Sequence, residues 1–207
     1  MPRSMVPFVL LMVAGCSPEP VFPEDAGEGG GGVAGAVLRR HCVVAAHSTD
    51  EGGDEAPVPR PPEPPQCFHQ FSEAIAFATG GRVLLPAHAT PADVDEALLR
   101  ADATASAQAS PGLAQHVIAV EFADPNYGGG SLTVQSPSSC ESSSISLSTV
   151  PSVWNDTISS ARVFGGCNHA YHYEHGGMRG AQTDCGRGCA YVGDPLNDRT
   201  SSLRWTK

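Results

Sequence analysis

A chain of 207 residues, 41 % hydrophobic and only 6 % aromatic, has room for one domain of about a hundred residues plus a smaller module. Its formal charge of −10 sets 12 Lys and Arg against 22 Asp and Glu, yet residues 106–207 hold eight acids against six Lys and Arg, so the excess lies in the N-terminal half and its linkers and does not argue for cation binding. No basic or aromatic stretch is clustered as nucleic-acid binding requires.

The opening residues, MPRSMVPFVLLMVAGC, carry one early positive charge at Arg3, an apolar run from Met5 and small residues before Cys16, the layout of an export signal. The apolar run is too short to stay as a spanning helix. Val13-Ala14-Gly15-Cys16 resembles a bacterial lipobox, which implies that residues 1–16 form a lipoprotein signal and that lipidated Cys16 becomes the mature N-terminus. Acyl chains anchor a protein to a membrane without crossing it. Residues 17–35, rich in Pro, Gly and acid, read as a flexible tether. The expected location is the cell envelope, lipid-anchored and extracytoplasmic, at an outer membrane or cell surface.

Residues 36–47, AVLRRHCVVAAH, read as one strand or two short ones, followed by an acidic and then proline-rich loop. From Cys67 onward, Phe68, Phe71, Ala74, Ile75 and Ala78 fall at helical spacing before a Gly80-Gly81 stop. RVLLP, residues 82–86, reads as a short buried strand. A second helix is predicted from Thr90 as N-cap, Pro91 at the first helical position and Asp93 in the first turn. Together these make residues 36–105 a small α/β module with a probable disulfide and no recognisable site.

Six cysteines follow the anchor: Cys42, Cys67, Cys140, Cys167, Cys185 and Cys189. An even count in an exported chain favours disulfides over metal ligation, although sequence does not fix the pairing. Cys42 with Cys67, flanking the proline-rich loop, is the first candidate pair, and Cys185 and Cys189 are close enough to close a small loop.

From about Gln115 the texture turns to β. HVIAVEFADPNYGGGSLTV is a strand, a turn at Asp124-Pro125-Asn126 and a second strand, and HAYHYEHGGMRGAQTDC repeats the plan with Gly176-Gly177 at the turn. Phe122-x4-Tyr127-x-Gly129 matches Tyr173-x4-Met178-x-Gly180. After each hairpin comes N-D-x-x-S-S-x-R: Asn155, Asp156, Ser159, Ser160 and Arg162 match Asn197, Asp198, Ser201, Ser202 and Arg204. Hairpin then N-D-x-x-S-S, twice in order, makes two equivalent four-strand units.

These motifs resemble those of the microbial, calcium-binding βγ-crystallin domains, over residues 115–207. The resemblance implies a mainly β fold, a double Greek-key β-sandwich at the C-terminus preceded by the α/β module. It also implies a protein that binds two Ca²⁺ ions for stability and, at its surface, an extracellular protein or protease partner. No serine, histidine and acid, and no cysteine and histidine, sit in a recognisable catalytic context, so no enzyme activity is expected. Calcium takes six to eight oxygen ligands, among them carboxylates, carbonyls and water. By the family's pattern, Asp156, the Thr157 carbonyl and Ser159 are donors from one loop, and Asp198, the Arg199 carbonyl and Ser201 from the other, with donors swapped between the keys. Each ion would add a hairpin carbonyl, from Ala123 or Glu174. Ser160 and Ser202 tie down the loops. Met178 departs from the usual aromatic, a change that still fills the hairpin corner, and a Ser-rich insertion lengthens the first key.

His169, His172 and His175 invite a zinc reading with Glu174 as base. On a strand, however, His169 and His175 face one way and His172 and Glu174 the other, so the three do not converge. The alternative function is inhibition of metallopeptidases, which some secreted bacterial proteins of this fold perform; the insertion at residues 135–152 is the one candidate for the protruding loop it needs.

Overall fold

The computed structural model describes residues 40–48, 64–94 and 116–207. The export signal, Cys16 and the tether of residues 17–35 lie outside these, as do residues 49–63 and 95–115. All described residues belong to one unit of the chain, Gly31–Lys207.

Three short strands come first, β1 (His41–Ala45), β2 (His47–Ser48) and β3 (Gln66–Phe68), then helix α1 (Phe71–Ala78). The first hairpin is β4 (His116–Asp124) and β5 (Gly128–Ser136), followed by β6 (Ile145–Leu147) and β7 (Ser160–Val163). The second hairpin is β8 (His169–His175) and β9 (Arg179–Asp184), followed by β10 (Gly188–Cys189) and β11 (Ser202–Thr206).

These strands form two sheets, ordered β10-β7-β4-β5-β1-β3 and β2-β6-β11-β8-β9. Each key keeps its first, second and fourth strands in one sheet and sends its third to the other: β6 pairs with β11, and β10 with β7. That exchange produces the paired Greek keys of a βγ-crystallin-like sandwich. The alternation that predicts strands is visible in β11, where Leu203 and Trp205 are buried and Arg204 is exposed.

Between the sheets lies a core that includes Ile118, Leu132, Val134, Ile145, Trp154, Leu203 and Trp205. Across the outer face of the six-stranded sheet, Phe71, Ala74, Ile75 and Ala78 of α1 pack on Val43, Val117, Val120 and Phe122. The helix buries Phe71, Ala74, Ile75 and Ala78 as their spacing predicts, whereas Phe68 lies in β3; the helix cap is Gln70, whose backbone N–H donates to Glu73 Oε2 across 3.2 Å.

The structure corrects the picture of residues 36–105 as a module by itself. β1 runs parallel to β5, from His41 opposite Ser131 to Ala45 opposite Gln135, and β2 pairs with β6 in the other sheet. The cause is an edge: β5 leaves one side of its ladder open, and an apolar HCVVA strand covers it. RVLLP is not a strand. Val83 is buried and Leu85 packs partly buried against the same cluster, while Leu84 between them is 79 % exposed. Thr79 holds this segment instead, its Oγ1 accepting from Val83 N at 3.1 Å and its carbonyl from Arg82 Nε at 2.9 Å. Of the second predicted helix the described residues hold a short 3-10 turn, Pro91–Asp93, whose Thr90 N–H donates to Asp93 Oδ2 at 2.7 Å.

The cysteines form three bridges: Cys42–Cys67, Cys140–Cys167 and Cys185–Cys189. The first ties β1 to β3, the second ties the Ser-rich insertion to the end of β7, and the third closes a loop beside β10.

Candidate metal centre

Both N-D-x-x-S-S loops are built the same way. A buried residue precedes each motif, Trp154 in one and Leu196 in the other, and Ile158 and Thr200 are buried at the fourth position. At the second position Asp156 and Asp198 take left-handed backbone, with φ of 59° and 54°. Aspartate tolerates that region better than most residues, which suits it to this bend.

The loops face each other about a pseudo-twofold axis. Asp156 N donates to Thr200 O and Asp198 N to Ile158 O, both at 3.2 Å. Val150 N donates to Ser201 O and Val192 N to Ser159 O, both at 2.9 Å. The side chains follow the same exchange. Ser201 Oγ donates to Asp156 Oδ1 at 3.2 Å, and Ser159 Oγ donates to Asp198 Oδ1 at 3.3 Å. Each carboxylate therefore meets the hydroxyl of the opposite loop.

Asn155 and Asn197, given no role by the sequence, hold the other carboxylate oxygens: their Nδ2 groups donate to Asp156 Oδ2 at 2.7 Å and Asp198 Oδ2 at 2.8 Å. Their recurrence at the first motif position was the signal. Among the described residues, no hydrogen bond ends on the carbonyl of Thr157 or of Arg199.

The hairpins supply the remaining side of each site. Ser159 N donates to Phe122 O at 2.8 Å and Ser201 N to Tyr173 O at 2.9 Å. The next residues, Ala123 and Glu174, both fall at register shifts, between Phe122 and Asp124 on β4 and between Tyr173 and His175 on β8. A bulge removes a residue from the ladder and re-aims it. Ser160 and Ser202 fasten loop to hairpin: Ser160 Oγ donates to Asp124 O at 2.7 Å and accepts from Tyr127 N at 3.0 Å, while Ser202 Oγ donates to His175 O at 2.6 Å and accepts from Met178 N at 2.9 Å. Replacing Ser160 by alanine is expected to cost about 1–3 kcal/mol, because the Tyr127 N–H loses its partner. Urea denaturation would measure this, and a cost below about 0.5 kcal/mol would show the fastening to be dispensable.

The donor set is wholly oxygen: two carboxylates, two hydroxyls and backbone carbonyls at bends. It fits a hard cation such as Ca²⁺. The histidines of β8 go elsewhere. His172 is fully buried and bonds Glu121 Oε2 at 2.9 Å, whereas His169 bonds Asp184 Oδ2 at 2.8 Å near the surface. The bulge at Glu174 also ends the expected alternation, so Glu174 does not follow His172 inward. Its carboxylate accepts from Ala181 N at 3.2 Å and pairs with the Arg199 guanidinium. The Ala181 N–H, followed by the charges of Arg199 and His175, holds the Glu174 carboxyl below the usual glutamate range against an opposing effect of burial. The Arg199 side chain is thus held by Glu174 while remaining more than half exposed.

The Glu121–His172 pair was missed by sequence reasoning. Its signal is the hairpin alignment, in which Glu121 and His172 occupy the same position, immediately before Phe122 and Tyr173.

No family model matches the chain, and no curated protein matches it. Among solved structures it is similar to a βγ-crystallin domain from Clostridium beijerinckii, at 23 % identity over 43 % of this chain and 97 % of that one, with a TM-score of 0.34. It is also similar to a βγ-crystallin from an archaeon, at 22 % identity over 43 % of this chain and 96 % of the other, with a TM-score of 0.33. The N-terminal domain of Protein S gives 22 % identity over 44 % of this chain and 96 % of that one, with a TM-score of 0.35.

Proposed function

We propose that the protein is a non-catalytic, calcium-binding module of the cell envelope, anchored through lipid on Cys16 and binding two Ca²⁺ ions between its N-D-x-x-S-S loops. One observation carries the reading: each motif aspartate is aimed at the motif serine of the opposite loop, 3.2 and 3.3 Å away. One ion would be held by Asp156, Ser201 and the Glu174 carbonyl, the other by Asp198, Ser159 and the Ala123 carbonyl. The Thr157 and Arg199 carbonyls complete the donors. Bound there, the cation would cross-link loop to loop and loop to hairpin, stabilising the folded state because the unfolded chain offers no such set. Extracellular calcium modules work at roughly 10⁻⁴–10⁻³ M. Three disulfides suit the oxidising exterior where such calcium is found.

The inhibitor reading needs a protruding loop at residues 135–152. There the chain is bridged by Cys140–Cys167, paired as β6 with β11, and bonded from Val150 N to Ser201 O at 2.9 Å. The insertion is thus part of the sandwich, which favours the calcium reading.

Calorimetric titration of the chelator-stripped full chain with CaCl₂ tests the proposal. The full chain is required because β1 and β2 extend the sheets and α1 covers the outer face of one of them. Saturable binding of two ions, lost in Asp156→Ala/Asp198→Ala, is the expected result; heat indistinguishable between the two proteins would overturn it.

A further inference from the structure

The two candidate sites are not chemically equal. At the hairpin bulges the equivalent residues are Ala123 and Glu174, and at the third loop position they are Thr157 and Arg199. The first half carries a methyl group and a hydroxyl turned away to Trp154 O at 2.8 Å. The second half carries a carboxylate and a guanidinium bonded to each other. Glu174 lies between the residues whose carbonyls accept from Ser201 N and Ser202 Oγ, so the ion pair stands on the rim of the Asp156–Ser201 site.

We propose that Arg199 is a built-in competing cation that makes the Asp156–Ser201 site the weaker of the two. This rests on the calcium reading above. A divalent ion entering that site meets a guanidinium at the bulge residue itself, whereas at the other bulge Ala123 and Thr157 are uncharged and the guanidinium at that hairpin, Arg162, lies over the Tyr127 ring. The Arg199 guanidinium also occupies the carboxylate of the bulge residue, leaving Glu174 to contribute only its carbonyl. A bracing role for Arg199 is redundant, because the Ser201 N–H and the Ser202 hydroxyl already fix this loop to this hairpin. Its charge is the feature with a consequence. The Arg199 side chain is 58 % exposed, so the repulsion is screened and amounts to about tenfold in affinity.

The test is calcium titration of the full chain as wild type, Arg199→Ala, Arg199→Lys and Ser201→Ala, at low and high salt, with melting of each ion-free protein. Wild type is expected to show two unequal affinities, and Ser201→Ala to remove the weaker one. Arg199→Ala should tighten the weaker site about tenfold and leave the other within about twofold, the gain shrinking at high salt. Arg199→Lys, which keeps the charge and loses the planar fork, should retain the inequality. The ion-free Arg199→Ala protein should melt close to wild type, as expected for an exposed pair. Weaker binding in Arg199→Ala would overturn the proposal in favour of a brace. Two equal sites indifferent to Arg199→Ala would overturn it and leave the calcium reading standing. Absence of calcium binding in every protein would overturn both.

Discussion

Replacing Glu121 by alanine with His172 left in place is expected to destabilise the protein by about 3–5 kcal/mol, the usual cost of breaking a fully buried carboxyl–imidazole pair by removing one partner. Both side chains are fully buried and their contact of 2.9 Å joins β4 in one sheet to β8 in the other. The deletion would strand His172 Nε2 in a core of Ile, Leu and Trp side chains, beside its Nδ1, which has no partner among the described residues. His172→Ala should cost a similar amount, by stranding the carboxylate. Replacing both residues by leucine should be close to neutral, or stabilising by about 1–4 kcal/mol, since no polar group is then left uncompensated. Urea denaturation of the singles and the double closes the cycle. Single variants that each cost under about 1 kcal/mol would show that the pair reorganises or is hydrated, and the idea would fail.

The pair also shows how far the sequence can be read. Two hairpins with aromatic-x6-Gly spacing, each followed by N-D-x-x-S-S, were enough to expect two Greek keys, because turn glycines and motif serines are local signals. Ser160 and Ser202 could be assigned to fastening for the same reason: each acts on its own hairpin. What stayed hidden was the relation between copies. A repeat says that Asp156 and Asp198 are equivalent, and it is silent on which serine each one meets. Likewise Glu121 and His172 each look like an alternating strand residue until the twofold brings the two positions together. RVLLP misled because its apolar run looks buried, whereas the chain leaving Gly80 and Gly81, both at positive φ, is pinned to Thr79 and leaves Leu84 in solvent. The place of β1 was invisible because a parallel partner some ninety residues away in sequence, as for His41 opposite Ser131, leaves no local mark.

The exchange between loops predicts a pattern of loss that separates it from the simpler arrangement of one loop per ion. Asp156→Ala and Ser201→Ala remove donors from the same site, so each single variant and the double should retain one calcium, held by Asp198 and Ser159. Asp156→Ala combined with Ser159→Ala takes a donor from each site and should retain none. At free calcium a hundredfold above the dissociation constant, each site contributes about 2.7 kcal/mol. For a domain of this size that is roughly 5–10 °C of melting temperature per site. Calcium should therefore raise the melting point of Asp156→Ala/Ser201→Ala by half the wild-type increment or more, since the site it keeps is the tighter one, and leave that of Asp156→Ala/Ser159→Ala unmoved. The reverse ranking, with Asp156→Ala/Ser159→Ala keeping an ion and Asp156→Ala/Ser201→Ala losing both, would mean that each loop closes on its own cation. The contacts of 3.2 and 3.3 Å between loops would then be rearranged when the ion binds. The backbone argues for the crossed outcome, because Asp156 N and Asp198 N each donate to the opposite loop, so pulling either aspartate back toward its own serine would break these bonds as well.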